Sequence, residues 1–579
     1  MKFKLGVTFE ACFPQEERKT LSDYLSGIQR ADLLKMGSFF LGFDNEKSKY
    51  SDVTAFLNMF FSADNKDFAT DVYKNLKAFV FEAGYGIEQY EIPYVGSSLL
   101  LFEFIFDNIS EELETTKTNL EIEQDVFRAY VHLNQTAFTD RAIAEKEADE
   151  ESGLTYTPAQ VLLKTHFHNY ELINYRVDKL FTCQFLRAIS YFQFLSQTEK
   201  CEALLKKFCD YYGVKDYNEY LRRLIGIIYP VLMKDKESHT EIHLENIENE
   251  DFIDKHILSS KDVASELDFL TLRSKPLYKF EKDKYRIISP LFTIEMIYNG
   301  LYFRLKAINE KLSEDEKVSG LYGLKTYEYS EQYALDKLLQ EIYGKRYYQK
   351  SGKELDEIMP GGPDYYVRNG KHTIIFESKD ILISKESKQS PDFRILREEL
   401  RLKLYENEKG KSKAVKQLAE NIRKLLNGEA DYDKNFPVKK GIIFPVLVVH
   451  YRMFNAAGLN NIVNGWFRNE LEQLKEEGLD ISKVQDLILI DIDTLIFNKE
   501  ALQSRKLQLW DVLMEYQKIY LRFDLSKARP RPRSEEEGIE MLKSSFHPFS
   551  FFLDIKVEKM KFDRTPKELL EKAAPLFPE

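Results

Sequence analysis

Cysteine is scarce in this sequence, and that limits the folds and sites that it can form. Of its 579 residues only four are cysteines, and no two of them form a C-x-x-C pair; they are Cys12, Cys183, Cys201 and Cys209. Secreted domains held together by disulfides use many more cysteines, whereas reduced proteins of the cytoplasm use few. The composition therefore disfavours a disulfide framework, and we predict a cytoplasmic location.

Long apolar runs are missing as well. A membrane-spanning helix needs ~18 or more consecutive apolar residues, and the stretch SSLLLFEFIF is interrupted by Glu103. The first residues, MKFKLGVTFEACFPQEER, contain no sustained apolar core of the kind that a signal peptide needs. We therefore expect no membrane partner.

An excess of positive charge, which many nucleic-acid-binding proteins have, is also absent. The net charge is −12 at pH 7. A protein of this charge does not bind nucleic acid through its whole surface, so any such site must be a local basic patch on an acidic body. What the chain has in abundance is apolar residues, at 43%, and charged residues, at 31%, which together indicate a folded protein with more than one domain.

The first half of the chain has helical periodicity almost throughout. Residues 1–300 are predicted to be mainly α-helical, and the pattern of RIISPLFTIEMIYNGLYFRLKAINEKL continues it as a long helix over 286–312. A polar, acidic segment at 144–158 is predicted to be a loop or linker that splits this region into two subdomains. We expect the region to serve recognition or regulation and to be the surface for any protein partner.

The second half alternates helical patterns with apolar runs. KKGIIFPVLVVH and VQDLILIDIDTLIF have the continuous apolar character of buried strands. This alternation predicts an α/β domain over 320–500, with a central mixed sheet flanked by helices. A C-terminal helical extension over 501–579 is expected to pack on that domain.

A β-hairpin is predicted in PGGPDYYVRNGKHTIIFESKD, residues 360–380. Asn369-Gly370 between two apolar runs indicates a type I′ turn, whose two central residues both need a positive φ. With that turn, Asp364 lies opposite Ile375 and on the same face as Glu377 and Lys379. Asp364 and Glu377 would then be diagonal neighbours, ~7–8 Å apart at the backbone.

A metal ion explains why three ionisable groups should meet at the end of a half-buried strand. Two carboxylates and an ammonium are costly there without partners. Mg²⁺ takes oxygen ligands, accepts one or two carboxylates and keeps several waters. Lys379 would then hold or polarise an attacking water, or neutralise charge on a phosphate. The alternative is an ordinary hairpin with charged ends.

Together, Pro363, Asp364, Glu377 and Lys379 resemble the signature of the PD-(D/E)XK nuclease superfamily, which has the restriction-endonuclease-like fold. The resemblance covers roughly residues 322–500, where the order helix, strand, hairpin, helix, strand also agrees. It implies a Mg²⁺-dependent nuclease, with Mn²⁺ as a substitute, in which Asp364 and Glu377 bind the metal and Lys379 acts in catalysis. It further implies DNA rather than RNA as the favoured substrate, and bacterial restriction or antiphage defence as the context.

Two further residues match positions that members of the superfamily use. Glu331 lies on the apolar side of a predicted α-helix, where a buried acid would need a metal or a partner. The alternative is a half-exposed glutamate near a helix start, favoured by the helix dipole. Gln417, on the helix after the hairpin, matches a glutamine that helps to order the site, although Asn421 stands where a tyrosine often follows. The alternative for Gln417 is a surface glutamine.

A locally basic interval follows the hairpin. Between Lys379 and Lys424 there are 13 Lys or Arg residues against 8 Asp or Glu residues. Phosphate binding is a suitable use for such an interval; for any single residue, the alternative is a solvated helix surface. The residues predicted to contact nucleic acid are Lys385, Lys388, Arg394, Arg397 and Gln417.

A rival function from another class is open to the same fold. A nuclease-like domain that no longer cuts could serve as a nucleic-acid-binding or protein-binding module. The complete set of aspartate, glutamate and lysine argues against this alternative, because a degenerate site usually loses at least one of them.

Overall fold

A computed structural model describes most of the chain. The described residues are 5–42, 52–84, 86–152, 157–233, 241–243, 250–259, 261–390, 392–522, 545–562 and 566–576. They form two compact units that interleave along the sequence. The first unit comprises Met1–Gly153, Leu172–Asp178 and Phe208–Leu301, and the second comprises Leu154–Glu171, Lys179–Lys207 and Tyr302–Glu579. The second unit thus takes in two segments from the first 210 residues.

Helices dominate the first 300 residues. They are α1 (Phe9–Cys12), α2 (Leu21–Leu25), α3 (Arg30–Gly42), α4 (Val53–Phe60), α5 (Lys66–Glu82), α6 (Val95–Asn108), α7 (Asn119–Ser152), α8 (Pro158–Ile173), α9 (Val177–Ser196), α10 (Glu202–Tyr212), α11 (Tyr217–Met233), α12 (Glu250–Asp254), α13 (Leu270–Ser274) and α14 (Pro290–Glu295). Among the described residues, no helix has both the length and the apolar character that crossing a bilayer requires.

Helix α7 corrects the prediction of a loop at 144–158. Its backbone is helical through Ser152, and residues 153–156 lie outside the described part of the chain. Alanine and glutamate dominate AEKEADEE, and both have high helix propensity. The acidic composition, which suggested a linker, is equally suited to a helix.

The first unit also contains strands that the sequence patterns did not predict. β1 (Leu5–Gly6) and β2 (Tyr90–Glu91) form a short parallel pair, and β3 (Glu241–His243), β4 (Leu277–Glu281) and β5 (Lys284–Ile287) form an antiparallel sheet in the order β3-β5-β4. The single long helix predicted over 286–312 is wrong in its extent: β5 takes its first two residues, and two separate helices, Pro290–Glu295 and Leu301–Asn309, form in the rest. Pro290, which lacks an N–H, starts the new helix α14, and Ser289 caps it by accepting a hydrogen bond from the Phe292 N–H.

The second unit is built around a mixed five-stranded sheet. Its strands are β6 (Tyr348–Ser351), β7 (Tyr365–Asn369), β8 (His372–Lys379), β9 (Ile442–Val449) and β10 (Ile488–Asp491), in the order β10-β9-β8-β7-β6. The pairs β6/β7 and β7/β8 are antiparallel, and β8/β9 and β9/β10 are parallel. This confirms the predicted mixed sheet in the C-terminal half.

Helices cover the sheet. After α15 (Leu301–Asn309) come α16 (Leu321–Gly323), α17 (Asp336–Tyr343), α18 (Gly352–Ile358), α19 (Lys385–Gln389), α20 (Phe393–Leu404), α21 (Ala414–Asn427), α22 (Leu459–Glu476), α23 (Ile492–Phe497), α24 (Lys499–Gln503), α25 (Leu509–Tyr516), α26 (Phe549–Lys559) and α27 (Lys567–Ala573). Two segments are π-helical, Leu324–Leu335 and Gln517–Leu521. Below, "the π-helix" denotes Leu324–Leu335.

The two faces of the sheet are covered by different helices. One face buries Phe376 of β8 and Val446 of β9 in a large apolar core together with residues of α17, α25 and α26. On the other side, α21 lies against β8 and β9, and α22 contacts β10. The strand predicted over 484–497 ends at Asp491, because the Asp491 side chain accepts a hydrogen bond from the Thr494 N–H and caps α23.

The hairpin forms, but its turn is shifted by one residue. Asn369 pairs with His372, so the two turn residues are Gly370 and Lys371 rather than Asn369 and Gly370. Of the predicted pair only Gly370 has a positive φ, 57°, and glycine at the first central position is typical of type II′ turns. Moving the turn by one residue moves the pairing by two, so Asp364 aligns with Glu377 instead of Ile375 and stays on the predicted face.

Candidate active site

Four ionisable side chains meet where β7 begins and β8 ends. Below we call them the site cluster: Glu331, Asp364, Glu377 and Lys379. Lys379 Nζ lies 2.8 Å from Glu377 Oε1, 3.9 Å from Asp364 Oδ2 and 3.9 Å from Glu331 Oε1. The structure therefore brings together all four residues that the sequence suggested for catalysis.

Each member reaches the cluster from a different piece of backbone. Glu377 and Lys379 alternate along β8, so both point to the face opposite Phe376. Asp364 directly precedes β7, and Glu331 comes from the π-helix. The predicted α-helix is correct only from Asp336 onward, where α17 begins.

The position of Asp364 is fixed by two close backbone contacts. The Ser378 N–H donates a hydrogen bond of 2.6 Å to Asp364 Oδ2. Gly352, at the start of α18, lies against the backbone of Asp364, and a Cβ added there would be 2.8 Å from the Asp364 carbonyl oxygen. Only glycine leaves room for this approach.

The site cluster is largely withdrawn from solvent. The side chain of Glu377 is 2% exposed, those of Glu331 and Lys379 are 15% exposed, and that of Asp364 is 22% exposed. Buried charges of one sign are unfavourable unless opposite charges compensate them. One ammonium does not balance three carboxylates, so the cluster has an excess of acid.

The pKa values reflect this excess. Burial, together with repulsion from Asp364, raises the pKa of Glu331 to about 9 and that of Glu377 to about 8. Burial also raises the pKa of Asp364. Burial opposes the charged form of Lys379, but the three carboxylates outweigh it and raise its pKa.

The carboxylates of the site cluster can be compared with what a divalent cation requires. Within the described residues, no group of three or more His, Cys, Asp or Glu side chains could hold a metal ion. Mg²⁺ needs only one or two carboxylates, because water and substrate oxygens supply its other ligands. Asp364 Oδ2 and Glu377 Oε1 both contact Lys379 Nζ, so they lie less than ~8 Å apart, a separation that side-chain rotation can close around one ion.

A second group of polar side chains lies next to the site cluster, and the sequence did not indicate it. We call it the inner cluster: Lys325, Ser330 and Asp380. Lys325 Nζ donates hydrogen bonds of 2.9 and 2.7 Å to the two Asp380 oxygens, and Ser330 Oγ donates one of 2.6 Å to Asp380 Oδ2. Asp380 could have been recognised from the sequence, because it is a polar residue directly after a buried strand. Lys325 could not, because α-helical periodicity places it away from Ser330.

His450 also adjoins this end of the sheet. It follows β9 and is buried, and its Nε2 lies 2.9 Å from Ser378 Oγ. Burial lowers the pKa of His450 to about 3, despite the opposing field of Asp380. A neutral imidazole therefore packs beside the strand that carries Glu377.

The structure corrects one residue of the predicted nucleic-acid surface. Lys388, at the end of α19, is buried, and its Nζ donates a 2.9 Å hydrogen bond to Glu171 Oε1, 217 residues earlier in the chain. A buried, paired ammonium cannot contact a phosphate. The prediction that Lys388 contacts nucleic acid is therefore wrong.

The other predicted contact residues lie at or near the surface. Lys385 begins α19 and is half-buried, and Arg397 is half-buried on α20. Arg394 forms an ion pair of 2.7 Å with Asp392 and is 40% exposed. Gln417 is half-buried on α21, and among the described residues no hydrogen bond joins its side chain to the site cluster.

Lys413 is a further cation near the site, which the sequence did not single out. It immediately precedes α21 and is half-buried. Burial, and then repulsion from Lys379, Lys411 and Lys403, lowers the pKa of Lys413. Lys379 is thus one of the positive charges that disfavour the charged form of Lys413.

Comparison of the chain with protein-family models, with curated proteins and with solved structures gave no match. The chemistry of the site cluster has to be inferred from its own residues.

Proposed function

We propose that residues 320–500 form a Mg²⁺-dependent nuclease that hydrolyses phosphodiester bonds, with DNA as the favoured substrate. The observation that carries this proposal is the convergence of three carboxylates on Lys379, whose Nζ lies within 3.9 Å of an oxygen of each. Phosphodiester hydrolysis needs an oriented water and positive charge next to the phosphate. Buried acids that can hold a divalent cation beside a lysine can supply both.

In this proposal Asp364 and Glu377 hold the metal ion. When bound, Mg²⁺ would neutralise charge on the phosphate and make a coordinated water easier to deprotonate. The Ser378 N–H holds Asp364 in place, and the pairing of β7 with β8 fixes Asp364 against Glu377. Glu377 lies within β8 and Asp364 directly precedes β7, so the pairing of the two strands holds both residues near each other.

Lys379 and Glu331 act on the reacting groups. Lys379 has three N–H donors, one of which goes to Glu377 at 2.8 Å. The remaining donors can orient the attacking water or bind a phosphate oxygen. Glu331 Oε1 lies 3.9 Å from Lys379 Nζ. Its raised pKa keeps this carboxyl protonated near neutral pH, so it would accept a proton from that water only when a bound cation favours its charged form.

Basic residues on α19, on α20 and before α21 would bind the nucleic-acid backbone. We propose Lys385, Arg394, Arg397 and Lys413 for this role, with Gln417 as a weaker candidate. Contacts of this type depend on salt, because each neutralised phosphate releases counterions.

Three further elements of the proposal rest on composition or resemblance. The four cysteines all lie in the described part of the chain and are free thiols, which suits a cytoplasmic location. Restriction or antiphage defence in bacteria is the context that the resemblance to the PD-(D/E)XK superfamily suggests. The first 300 residues would recognise or regulate, through nucleic acid or a protein partner.

The test is cleavage of plasmid DNA and of RNA by the full-length protein. Reactions contain Mg²⁺, Mn²⁺ or EDTA, and the variants are Asp364→Ala and Lys379→Ala. Lys475→Ala, which removes a 62% exposed side chain from α22, is the matched control. We expect metal-dependent cleavage of DNA by the wild type and by the control, and loss of cleavage in both site variants.

Metal-dependent cleavage that survives both site substitutions would overturn this assignment. A wild type that binds DNA but does not cut it under any of these conditions would favour the rival function, a nuclease-like binding module.

A further inference from the structure

The inner cluster joins the π-helix to the end of β8. Lys325 and Ser330 come from the π-helix, and Asp380 directly follows β8. The side chains of Lys325 and Asp380 are 4% and 1% exposed, and Ser330 is fully buried. Ion pairs in such places have strict geometry, because a misplaced partner leaves a buried charge without compensation.

The π-helical conformation makes this arrangement possible. In an α-helix residues advance ~100° each, so two residues five apart point ~140° away from each other. In a π-helix the backbone hydrogen bonds join residues five apart, which places such residues on one side of consecutive turns. Lys325 and Ser330 are five apart and both donate to Asp380.

A second contact holds the same helix on another side. The Tyr329 hydroxyl donates a 3.1 Å hydrogen bond to the Arg187 carbonyl oxygen of α9. Arg187 is itself fixed by a buried ion pair of 2.9 Å with Asp493, next to the end of β10. The π-helix is therefore tied to the ends of two sheet strands, β8 directly and β10 through α9.

The inner cluster and the site cluster are adjacent along both pieces of backbone. Ser330 precedes Glu331, and Lys379 precedes Asp380. The Ser330–Asp380 hydrogen bond and the Glu331–Lys379 contact thus join the same helix to the same strand end, one residue apart. Any shift of the π-helix that breaks the Ser330–Asp380 hydrogen bond must also change the distance between Glu331 and Lys379.

We infer that the inner cluster is a positioning device, which holds Glu331 at its working distance from Lys379. This inference rests on the proposed nuclease function and adds residues to it that do not touch the reacting groups. Lys325 and Ser330 hold the π-helix in place, because both donate hydrogen bonds to Asp380 at the end of β8.

The test uses the full-length protein with Ser330→Ala, Lys325→Met and the charge-retaining Lys325→Arg. The matched control is Lys200→Met, because Lys200 forms a 2.9 Å ion pair with Glu328 of the same π-helix, but with side chains 49% and 43% exposed. Two quantities are measured: the kinetics of plasmid cleavage with Mg²⁺, and amide hydrogen exchange over residues 324–335.

We expect Ser330→Ala and Lys325→Met to lower kcat by about 10- to 100-fold, the size of effect that small misplacements of catalytic groups cause. KM should change less than about twofold, because no substrate contact is removed. Lys325→Arg should recover much of the lost kcat. Exchange over 324–335 should accelerate about tenfold in the first two variants, while the control changes neither quantity.

Unchanged kcat in both variants, or exchange no faster than in Lys200→Met, overturns the inference. A wild type that cleaves nothing overturns the proposed function but leaves the exchange measurement to decide whether the inner cluster holds the helix. If Lys325→Met does not fold, Ser330→Ala alone tests the inference, because it removes only a single hydroxyl and should leave the protein folded.

Discussion

The site cluster and the inner cluster are built from the same two pieces of backbone, yet their charges are balanced differently. Glu377 and Asp380 are both buried and lie three residues apart. Burial and repulsion from Asp364 raise the pKa of Glu377 to about 8. Burial acts in the same direction on Asp380, but Lys325, His450 and Ser330 outweigh it and lower its pKa to about 2.

The difference shows that the partners of a buried acid, rather than burial itself, decide the direction in which its pKa moves. Asp380 accepts hydrogen bonds from one ammonium and one hydroxyl, those of Lys325 and Ser330. Glu377 shares one ammonium with two other carboxylates. An excess of buried acid costs stability, and active sites are where such cost is commonly found.

The largest expected effect comes from removing the partner of Asp380. Lys325→Met leaves a buried carboxylate without its cation, and we expect the free energy of unfolding to fall by about 3–5 kcal/mol. Glu331→Gln at pH 8 without metal should act in the opposite direction and raise it by about 1–3 kcal/mol, because it removes one of the excess acids. Chemical denaturation of both variants gives the comparison. Similar destabilisation by the two substitutions would show that the clusters do not differ in charge balance.

A smaller effect is expected from moving Asp364 without changing its chemistry. Gly352→Ala places a Cβ 2.8 Å from the Asp364 carbonyl oxygen, so the backbone must shift and we expect kcat to fall about 10- to 100-fold. The matched control is Gly465→Ala on α22, where an added Cβ meets nothing within 4 Å. Steady-state cleavage kinetics give kcat for both variants. If both variants cleave like the wild type, the position of Asp364 does not limit the reaction.

Much of the site cluster was predictable, since three of its members lie on one hairpin. Side chains alternate along β8, so Glu377 and Lys379 lie on one face whether the turn is Asn369-Gly370 or Gly370-Lys371. The shift of the turn from Asn369-Gly370 to Gly370-Lys371 kept Asp364 on that face, because it changed the pairing by an even number of residues.

The rest depended on contacts or conformations that leave no local pattern. Glu331 was selected from α-helical periodicity, although it lies in a π-helix, and Lys325 was missed because its relation to Ser330 exists only at that helix's spacing. The burial of Lys388 depends on Glu171, which is 217 residues away. The sequence patterns did not indicate the strands β3, β4 and β5; the last two residues of β5, Arg286 and Ile287, overlap the stretch predicted as a helix.

The smallest effect, taken per pH unit and per group, is the change of stability with pH. Without metal, the raised pKa values of Glu377, about 8, and Glu331, about 9, mean that the folded state binds these protons more tightly than the unfolded state. Their contribution to stability is complete below the ordinary pKa near 4.5 and is lost as the pH rises through 8 and 9. Asp380 behaves oppositely: its contribution is present above pH 3.8 and is lost as the pH falls through about 2.

The free energy of unfolding in EDTA should therefore decline between pH 5 and pH 9, by at most ~1.4 kcal/mol per pH unit for each group. In Glu331→Gln the decline should be shallower. Denaturation at a series of pH values measures the slope, and equal slopes in the wild type and the variant would contradict the raised pKa of Glu331.

The most direct test of the link between excess acid and a divalent cation is Mn²⁺ binding to the full-length protein. Electron paramagnetic resonance at pH 8 would compare the wild type, Glu377→Gln and the control Lys200→Met. We predict that the wild type and the control bind Mn²⁺ equally, and that Glu377→Gln weakens binding at least ~tenfold. Equal Mn²⁺ binding by the wild type and Glu377→Gln, or no binding by either, would contradict the assignment of the site cluster as a metal site.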